Sequence, residues 1–538
     1  MVGAGPIGLS VACHLRRLGV SVRVADKRFG PSEHSKAIGL QYRVSEVLAR
    51  LGVVDRFLAE GTNPTAVNIY AEGTRLVQLN FVAPAGISGT GAFEPRAIIL
   101  PQSRTEALLI EYLQELGGAV EWRTELLDFV QSDESVVARM LRADGAVLDI
   151  VSSWLVSCEG AHSVVRKQSD IGFHGKTYPL AFFMADVKLR GSVSHEENHV
   201  WLHRSGSLAA LPLPGADIWR LFIEVDGQKE TTHAIRSVHD IERFLKERAP
   251  GLSMEVVGEP LWLSDFRINC RMVDRMRDRR VFLAGDAAHI HSPTGGQGIT
   301  TGMQDAANLS WKLARVLHGA PDTLLDTYAE ERLPHAAEVL RETDRTTSIF
   351  FAPNPALRLL RDTVVLPVLR SPWVQRRMFA KFSQLHVHYR RSSLSHDSRP
   401  HWAARRTRAG DRAPDVTFRL RDGDRTTLFA LMRGLRPIVL LSGERGAAAL
   451  AERLRAFDVD AYTLAPAAST GADLTDVYGD FAALYALKAP FGCVIRPDGH
   501  IGCVLVPRDE AALLRYLAKV SNPEAVAAAT HIARTPVD

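Results

Sequence analysis

Gly3-Ala4-Gly5-Pro6-Ile7-Gly8 stands at the head of the chain, and its spacing decides the fold. In a strand, turn and helix unit the first glycine permits a tight turn, the second lets backbone approach a pyrophosphate, and the third lets the helix pack closely. Leu9 to Leu18 carries helical spacing directly behind it, and Val20, Val22 and Val24 then alternate as a strand does. That strand ends at Asp26, with Lys27 beside it, about 20 residues beyond the glycines, where a carboxylate can accept ribose hydroxyl hydrogen bonds. The order predicts a β-α-β unit of an α/β, Rossmann-like domain, with Gly3, Gly5, Pro6, Gly8, Asp26 and Lys27 against a dinucleotide. Only Met1 and Val2 stand where the preceding strand belongs: either the start is truncated or the central strand is short, and several apolar residues added ahead of Met1 are expected to tighten cofactor binding.

The chain has 538 residues, more than one core usually supports, which predicts two or three domains. Basic and acidic side chains nearly balance, 65 against 61, and a net charge of +4 gives no field that argues for a nucleic-acid partner. The clusters Arg275 to Arg280 and Arg405 to Arg408 are interrupted or soon followed by acidic residues and read as solvated faces. Five cysteines, at 13, 158, 270, 493 and 503, include no C-x-x-C pair and no metal-ligand spacing, the pattern of a reduced chain without a metal. No apolar run approaches the ~20 residues of a membrane span, and no basic and apolar leader precedes Gly3. The expectation is a cytoplasmic protein with no membrane contact.

Farther along, residues 103 to 116 read as a helix and 146 to 158 as strands running into Glu159-Gly160. From about 175 to 275 short alternating segments separated by Gly and Pro predict a mainly antiparallel sheet. Arg280 to Ala284 then resumes an apolar strand, so the nucleotide domain is expected to be discontinuous, 1–175 with 276–345, around a sheet domain at 176–275. A helical segment and linker at 346–400 precede a small α/β domain at 405–538, with Arg496-Pro497-Asp498-Gly499 as a hairpin turn.

A second glycine-rich stretch, Gly285-Asp286-Ala287-Ala288-His289 with Pro293 and Gly295-Gly296-Gln297-Gly298, follows that strand. Ligands of open α/β sheets lie at such strand ends, where Asp286 can hold a sugar-alcohol hydroxyl and the loop can bring N–H groups to a ring edge. The helix behind it aims its positive end at the same place, a geometry that stabilises negative charge on a reduced flavin ring. His289 and His291 have no third ligand in view, so no metal is expected.

With these pieces the chain resembles the class A FAD-dependent aromatic hydroxylases, the phenol, hydroxybenzoate and aromatic polyketide group. The resemblance spans nearly the full length and rests on Gly3 to Gly8 with Asp26, Arg43-x-x-Glu46, Leu100-Pro101-Gln102, Glu159-Gly160-Ala161-His162-Ser163-Val164-Val165-Arg166, and Gly285 through Lys312. It implies tightly but non-covalently held FAD: Asp26 at the adenosine ribose, Arg43 and Gln102 at the flavin side chain, Asp286 at ribityl, and Pro293 with Gly295 to Gly298 beside the ring. Without it, Arg43 reads equally as a surface arginine and Gln102 as a helix cap.

Two positions depart from the family pattern. Glu159 replaces the usual Asp before Gly160, in a segment linked to FAD and NAD(P)H, which bears on reductant preference. Thr300 replaces the usual Asn, exchanging an amide near the flavin for a hydroxyl.

The resemblance further implies that NAD(P)H reduces FAD, that O2 is captured as a C4a-hydroperoxyflavin, and that its distal oxygen attacks a small aromatic substrate. No protein nucleophile is required, so no catalytic residue is singled out. Trp201, His203 and Phe222 line a substrate pocket or form half-buried core in the middle sheet. The C-terminal segment resembles a thioredoxin-like extension lacking C-x-x-C, which suits a scaffold or a homodimer contact. A flavin oxidase or dehydrogenase, and a non-catalytic flavoprotein that binds an aromatic ligand, share these motifs and remain as alternatives.

Overall fold

The computed structural model describes residues 1–33, 37–81, 83–84, 86–225, 237–251, 253–292, 295–351, 354–400, 407–442, 446–455, 457–467, 471–487 and 490–522. Pro6 at the first helical position starts the helix Pro6–Arg17, whose capping residue Gly5 offers no side chain. Leu9, Val11, Ala12, Cys13 and Leu15 are buried, and Arg16 and Arg17 in the last turn oppose the negative end of its dipole.

Ahead of this helix, Val2 makes a parallel bridge on each side, to Ala25 and to Ser157. Val2 donates to Val156 O at 3.0 Å on one side, and on the other Ala25 donates to Met1 O at 3.0 Å. Through that bridge the parallel pair Val24–Asp26 and Val120–Trp122 joins the parallel pair Leu155–Ser157 and Val281–Leu283. The nucleotide-binding layer is thus assembled from stretches on both sides of the middle of the chain.

The middle is a nine-stranded sheet. Its backbone is the long strand Phe173–Gly191, flanked by Ile218–Val225 and Trp262–Val273, both antiparallel. Period-2 alternation separates its faces. Trp201, Leu208, Leu221 and Ile223 pack with Ile241 and Leu245 of the helix Val238–Arg248 on one face. Phe182, Phe222, Phe266 and Ile268 look the other way, toward Leu340 of the helix Thr323–Phe350 and toward Phe351.

Ala66–Ala71 and Thr74–Asn80 fall in the stretch 1–175 expected to be nucleotide domain, yet they extend this sheet by parallel pairing of Ala66–Ala71 with Asn198–His203. Parallel pairing across so much chain leaves no local trace, which is why spacing alone misassigns them. The sheet also captures His289–Ile290 on the strand Trp262–Val273, tying it to the second glycine motif.

The C-terminal sheet has eight strands, with Ile438–Leu441, Gly492–Ile495 and Ile501–Leu505 fully buried at its centre. The turn expected at Arg496 to Gly499 is present: Gly499 takes a positive φ of 77° and donates to Arg496 O at 2.9 Å. This turn plugs into the nucleotide domain. Arg496 forks onto Glu331 at 2.6 and 2.8 Å, Lys312 reaches the same carboxylate at 2.7 Å, and Asn308 and Trp311 donate to Asp498.

Candidate functional site

The first glycine turn is held by contacts that a side chain would destroy. A Cβ on Gly3, whose φ is +97°, would lie 2.3 Å from Cys158 O, and one on Gly8 would lie 1.9 Å from Gly3 O. At Gly5 a Cβ would meet nothing within 4 Å, and the start of the helix Pro6–Arg17 carries no side-chain cap. That is the geometry of an anion cradle.

Asp26 Oδ2 accepts from Ala4 N–H at 2.7 Å and tightens the same turn. Arg28, rather than Lys27, supplies the cation here. It donates to Asp26 at 3.1 and 3.2 Å, to Ala4 O at 2.9 Å, and to the buried Glu106 at 3.1 Å. Lys27 points outward, its side chain 70% exposed and 3.7 Å from Glu125. Gln102 opens the helix Gln102–Glu115 and donates to Glu106 at 2.9 Å, which places it at the rim of this cluster.

The second motif docks on the first through Ile7. A Cβ on Gly285 or on Gly302 would fall within 2.8 or 2.7 Å of the Ile7 side chain, so both must be glycine for the two turns to meet. Asp286 sits in the 3-10 turn Gly285–Ala287, solvent-accessible yet walled by protein. That enclosure pushes its carboxyl above the ordinary value, partly offset by His289. Gly295 and Gly296 both take positive φ, and Gln41 Nε2 donates to Gly295 O at 3.0 Å. Gly298 then opens the helix Gly298–Leu317 with no heavy atom within 4 Å of a Cβ there, a second helix start without a side-chain cap. Gln297 is buried and fixed by Gln384 at 3.0 Å. Pro293 lies outside the described residues.

Several expected contacts are placed elsewhere. Arg43 is 1% exposed and is spent on Glu46 and on the carbonyls of Asp498 and Gly499, at 2.5, 3.3 and 3.4 Å, so it belongs to the seam with the C-terminal sheet. Thr300 is buried, its Oγ1 accepting from Gln41 N–H at 3.0 Å; the hydroxyl anchors neighbouring backbone instead of presenting a polar group to a ring. The carboxylate of Glu159 turns inward, accepting from the Ser157 and Ser163 hydroxyls at 2.7 Å and from Val164 and Val165 N–H at 3.2 Å. Its extra methylene gives it that reach, while Gly160, at φ +78°, stays open.

Of the three residues read as pocket or core, Trp201 is buried on the sheet face covered by Val238–Arg248, stacked on Tyr70 at 5.3 Å, and so is core. His203 lies at the strand end with Ser205 and Glu72. Phe222 alone faces the nucleotide side. Among the described residues no cluster fit to hold a metal is present.

Sequence reading gave no contact to two side chains that bind the motifs together, Arg28 and the Arg166 that closes the Glu159 to Arg166 segment. Arg28 follows Asp26 by two residues, but nothing local points it back over the turn. Arg166 donates to Ala287 O at 3.1 Å and to Ala161 O at 2.8 Å, locking the Glu159-Gly160 segment onto the second motif.

Two helix starts without side-chain caps, the carboxylates of Asp26 and Asp286 beside them, and glycines that allow close backbone approach suit a pyrophosphate, a ribose and a polyol chain, which is FAD. Residues 1–343 match the sequence model of a family described as FAD binding domain. A flavin-dependent monooxygenase of Mycobacteroides abscessus is 34% identical over 533 residues, 97% of this chain and 99% of that protein. A 6-methylpretetramide 4-monooxygenase of Streptomyces rimosus is 36% identical over 407 residues, 74% of this chain and 70% of the other. An anhydrotetracycline hydroxylase structure from Streptomyces rimosus superposes with a TM-score of 0.76 at 29% identity, covering 97% of this chain and 98% of that one. The chain belongs to this FAD-binding family and is an FAD-dependent monooxygenase. Among the described residues, no helix is long and apolar enough to cross a membrane.

Proposed function

We propose that the protein hydroxylates a phenolic or polyketide-type aromatic ring, with NAD(P)H as reductant and molecular oxygen as co-substrate. The supporting observation is the aromatic wall on the sheet face turned toward the nucleotide domain. Phe182 stacks on Phe266 at 5.6 Å and meets Phe351 edge-on at 5.2 Å, while Phe222 meets Phe266 edge-on at 6.4 Å. Tyr178 belongs to the same cluster, its buried hydroxyl without a partner among the described residues. Such a surface suits a flat apolar ligand carrying a few hydroxyl groups.

When bound, FAD supplies the electron transfer and the oxygen activation. The chain supplies the rest. N–H groups behind Gly5 would hold the pyrophosphate, Asp26 and Arg28 the adenosine end, and Asp286 the ribityl hydroxyls. The Gly295 to Gly298 loop and the start of the helix Gly298–Leu317 would lie against the flavin and would favour negative charge on it. The phenylalanines orient the substrate and keep water out. The C-terminal sheet we read as a thioredoxin-like scaffold: Cys493 and Cys503 are buried and unpaired, which suits a structural role.

Product analysis of the FAD-loaded protein with NAD(P)H, oxygen and a panel of phenols, quinones and polycyclic aromatics tests this reading. The expected outcome is one oxygen atom inserted per NAD(P)H consumed. Oxidised but unoxygenated product would establish an oxidase or dehydrogenase, and no ligand-stimulated NAD(P)H oxidation would establish a binder.

A further inference from the structure

Behind the Gly295 to Gly298 loop, four polar side chains meet: Gln297 of the loop, Thr301 and Gln304 of the helix Gly298–Leu317, and Gln384 at the end of the helix Pro372–Ser383. All four are buried. Gln304 Nε2 donates to Thr300 O at 3.1 Å and to Gln384 Oε1. Gln384 Nε2 donates to Gln297 Oε1 at 3.0 Å and to Thr301 Oγ1 at 3.2 Å, while Thr301 Oγ1 itself donates to Gln297 O at 3.0 Å.

The two ends of an amide have the same shape, so only their partners decide which is oxygen and which is nitrogen. Two backbone carbonyls decide it here. The Thr300 carbonyl can only accept, so the end of Gln304 that faces it is nitrogen, and the end of Gln384 that meets the same nitrogen is oxygen. The Gln297 carbonyl can only accept as well, so the Thr301 hydroxyl gives it a proton and takes its own hydrogen bond from Gln384, whose nitrogen must lie on that side. Both routes orient Gln384 the same way, and Gln384 then fixes Gln297 with its amide oxygen inward. The Gln297 nitrogen faces the other way. It makes no hydrogen bond among the described residues and lies beside Gly295, 3.4 Å from where a Cβ on that glycine would stand.

Holding this ladder has costs. Gln304 Oε1 is left buried and without a partner among the described residues. Gln384 takes φ 56° and ψ 19°, a left-handed position at a helix end where glycine or asparagine is the ordinary residue. A glutamine there serves through its side chain, which is the only part that reaches Gln297 and Thr301.

We infer that Gln384 is a positioning residue of the flavin site, holding the Gln297 amide so that its nitrogen donates toward the isoalloxazine ring and favours negative charge on the reduced form. A donor locked in place before charge develops needs no reorientation when it does. The inference rests on the reading that places the Gly295 to Gly298 loop against the flavin.

The midpoint potential and absorption spectrum of bound FAD read this without any substrate. Gln297→Leu removes the donor and is expected to weaken binding of reduced FAD roughly 10-fold relative to oxidised FAD, a downward shift of about 30 mV for a two-electron couple. Gln384→Met keeps the volume but frees the Gln297 amide to turn, and should shift the potential the same way by less. The double variant should shift no further than Gln297→Leu alone, because Gln384 acts through that amide. Additive shifts would overturn the inference, and so would an unchanged potential in Gln297→Leu. Should Gln384→Met lose the fold or the cofactor, Gln384→Gly suits the left-handed backbone and carries the same expectation. Gly295→Ala tests the placement of the loop separately, since its methyl would stand 2.6 Å from the Phe382 ring and push the loop aside. An altered flavin spectrum there, with potentials unmoved in the glutamine variants, sinks the amide ladder alone. No flavin response to any of these variants removes the loop from the ring, and the inference with it.

Discussion

Glycine is the residue type that speaks most plainly in this chain, because its role follows from the backbone. Gly3, Gly5 and Gly8 could be assigned from spacing, and the clearances at each explain why. Gly8→Ala would drive a methyl into the carbonyl of Gly3, 1.9 Å away, and is expected to abolish FAD retention. Asp286→Ala should leave a folded protein that binds FAD roughly 10- to 100-fold more weakly, measured by fluorescence titration, since a charged hydrogen-bond partner contributes about 1.5–3 kcal/mol. Stoichiometric yellow cofactor at low concentration would contradict that role. Charged side chains are far less legible. Arg28, Glu106 and Arg166 act on backbone distant in sequence, at Ala4, Ser32 and Ala287, and Glu159 looks like a variant flavin contact until its four donors are seen. Glu159→Asp, which restores the commoner residue, is therefore expected to lower the melting temperature, because the shorter side chain cannot reach the same hydroxyls and N–H groups.

Among the elements, the turn at Arg496 to Gly499 was readable from its Pro-Asp-Gly chemistry, but the socket that receives it was not. Glu331, Lys312 and Asn308 lie on helices whose inward faces carry charge, contrary to the usual apolar stripe, and only the arriving turn explains them. Breaking such a buried cluster strands its partners. Glu331→Ala is expected to destabilise by about 3–5 kcal/mol, seen in urea denaturation as early loss of the C-terminal sheet. The strands 66–80 were legible as strands but not as members of the middle sheet, since alternation reports a half-buried face and says nothing of the neighbour. At Val2 the two halves of the nucleotide layer meet through one bridging residue, which gives the effect expected of added apolar residues ahead of Met1 its physical basis.

At the scale of the whole molecule, several buried imidazoles are kept neutral. Burial holds His14 and His500 down to about 4. Because an unfolded histidine takes up its proton near pH 6.5, the unfolded chain binds more protons than the folded one between those values. Stability should be full above pH 6.5 and fall as the pH drops toward 4, by roughly 2 kcal/mol for each such group at pH 5. Melting temperatures from pH 7.5 to 5 check the slope; a flat profile would show that these groups are solvated.

The five unpaired cysteines bear on the durability of the enzyme. Burial raises every one of them, Cys158 and Cys503 to about 12, so at neutral pH each is a thiol rather than a reactive thiolate. A monooxygenase that meets oxygen without a well-seated substrate spills hydrogen peroxide onto itself. With its sulfhydryls held inert, the protein should outlast that self-inflicted damage. A disulfide-exchange reagent should find almost no reactive thiol in the native protein and all five after denaturation, and ageing during futile turnover should register first as methionine sulfoxide.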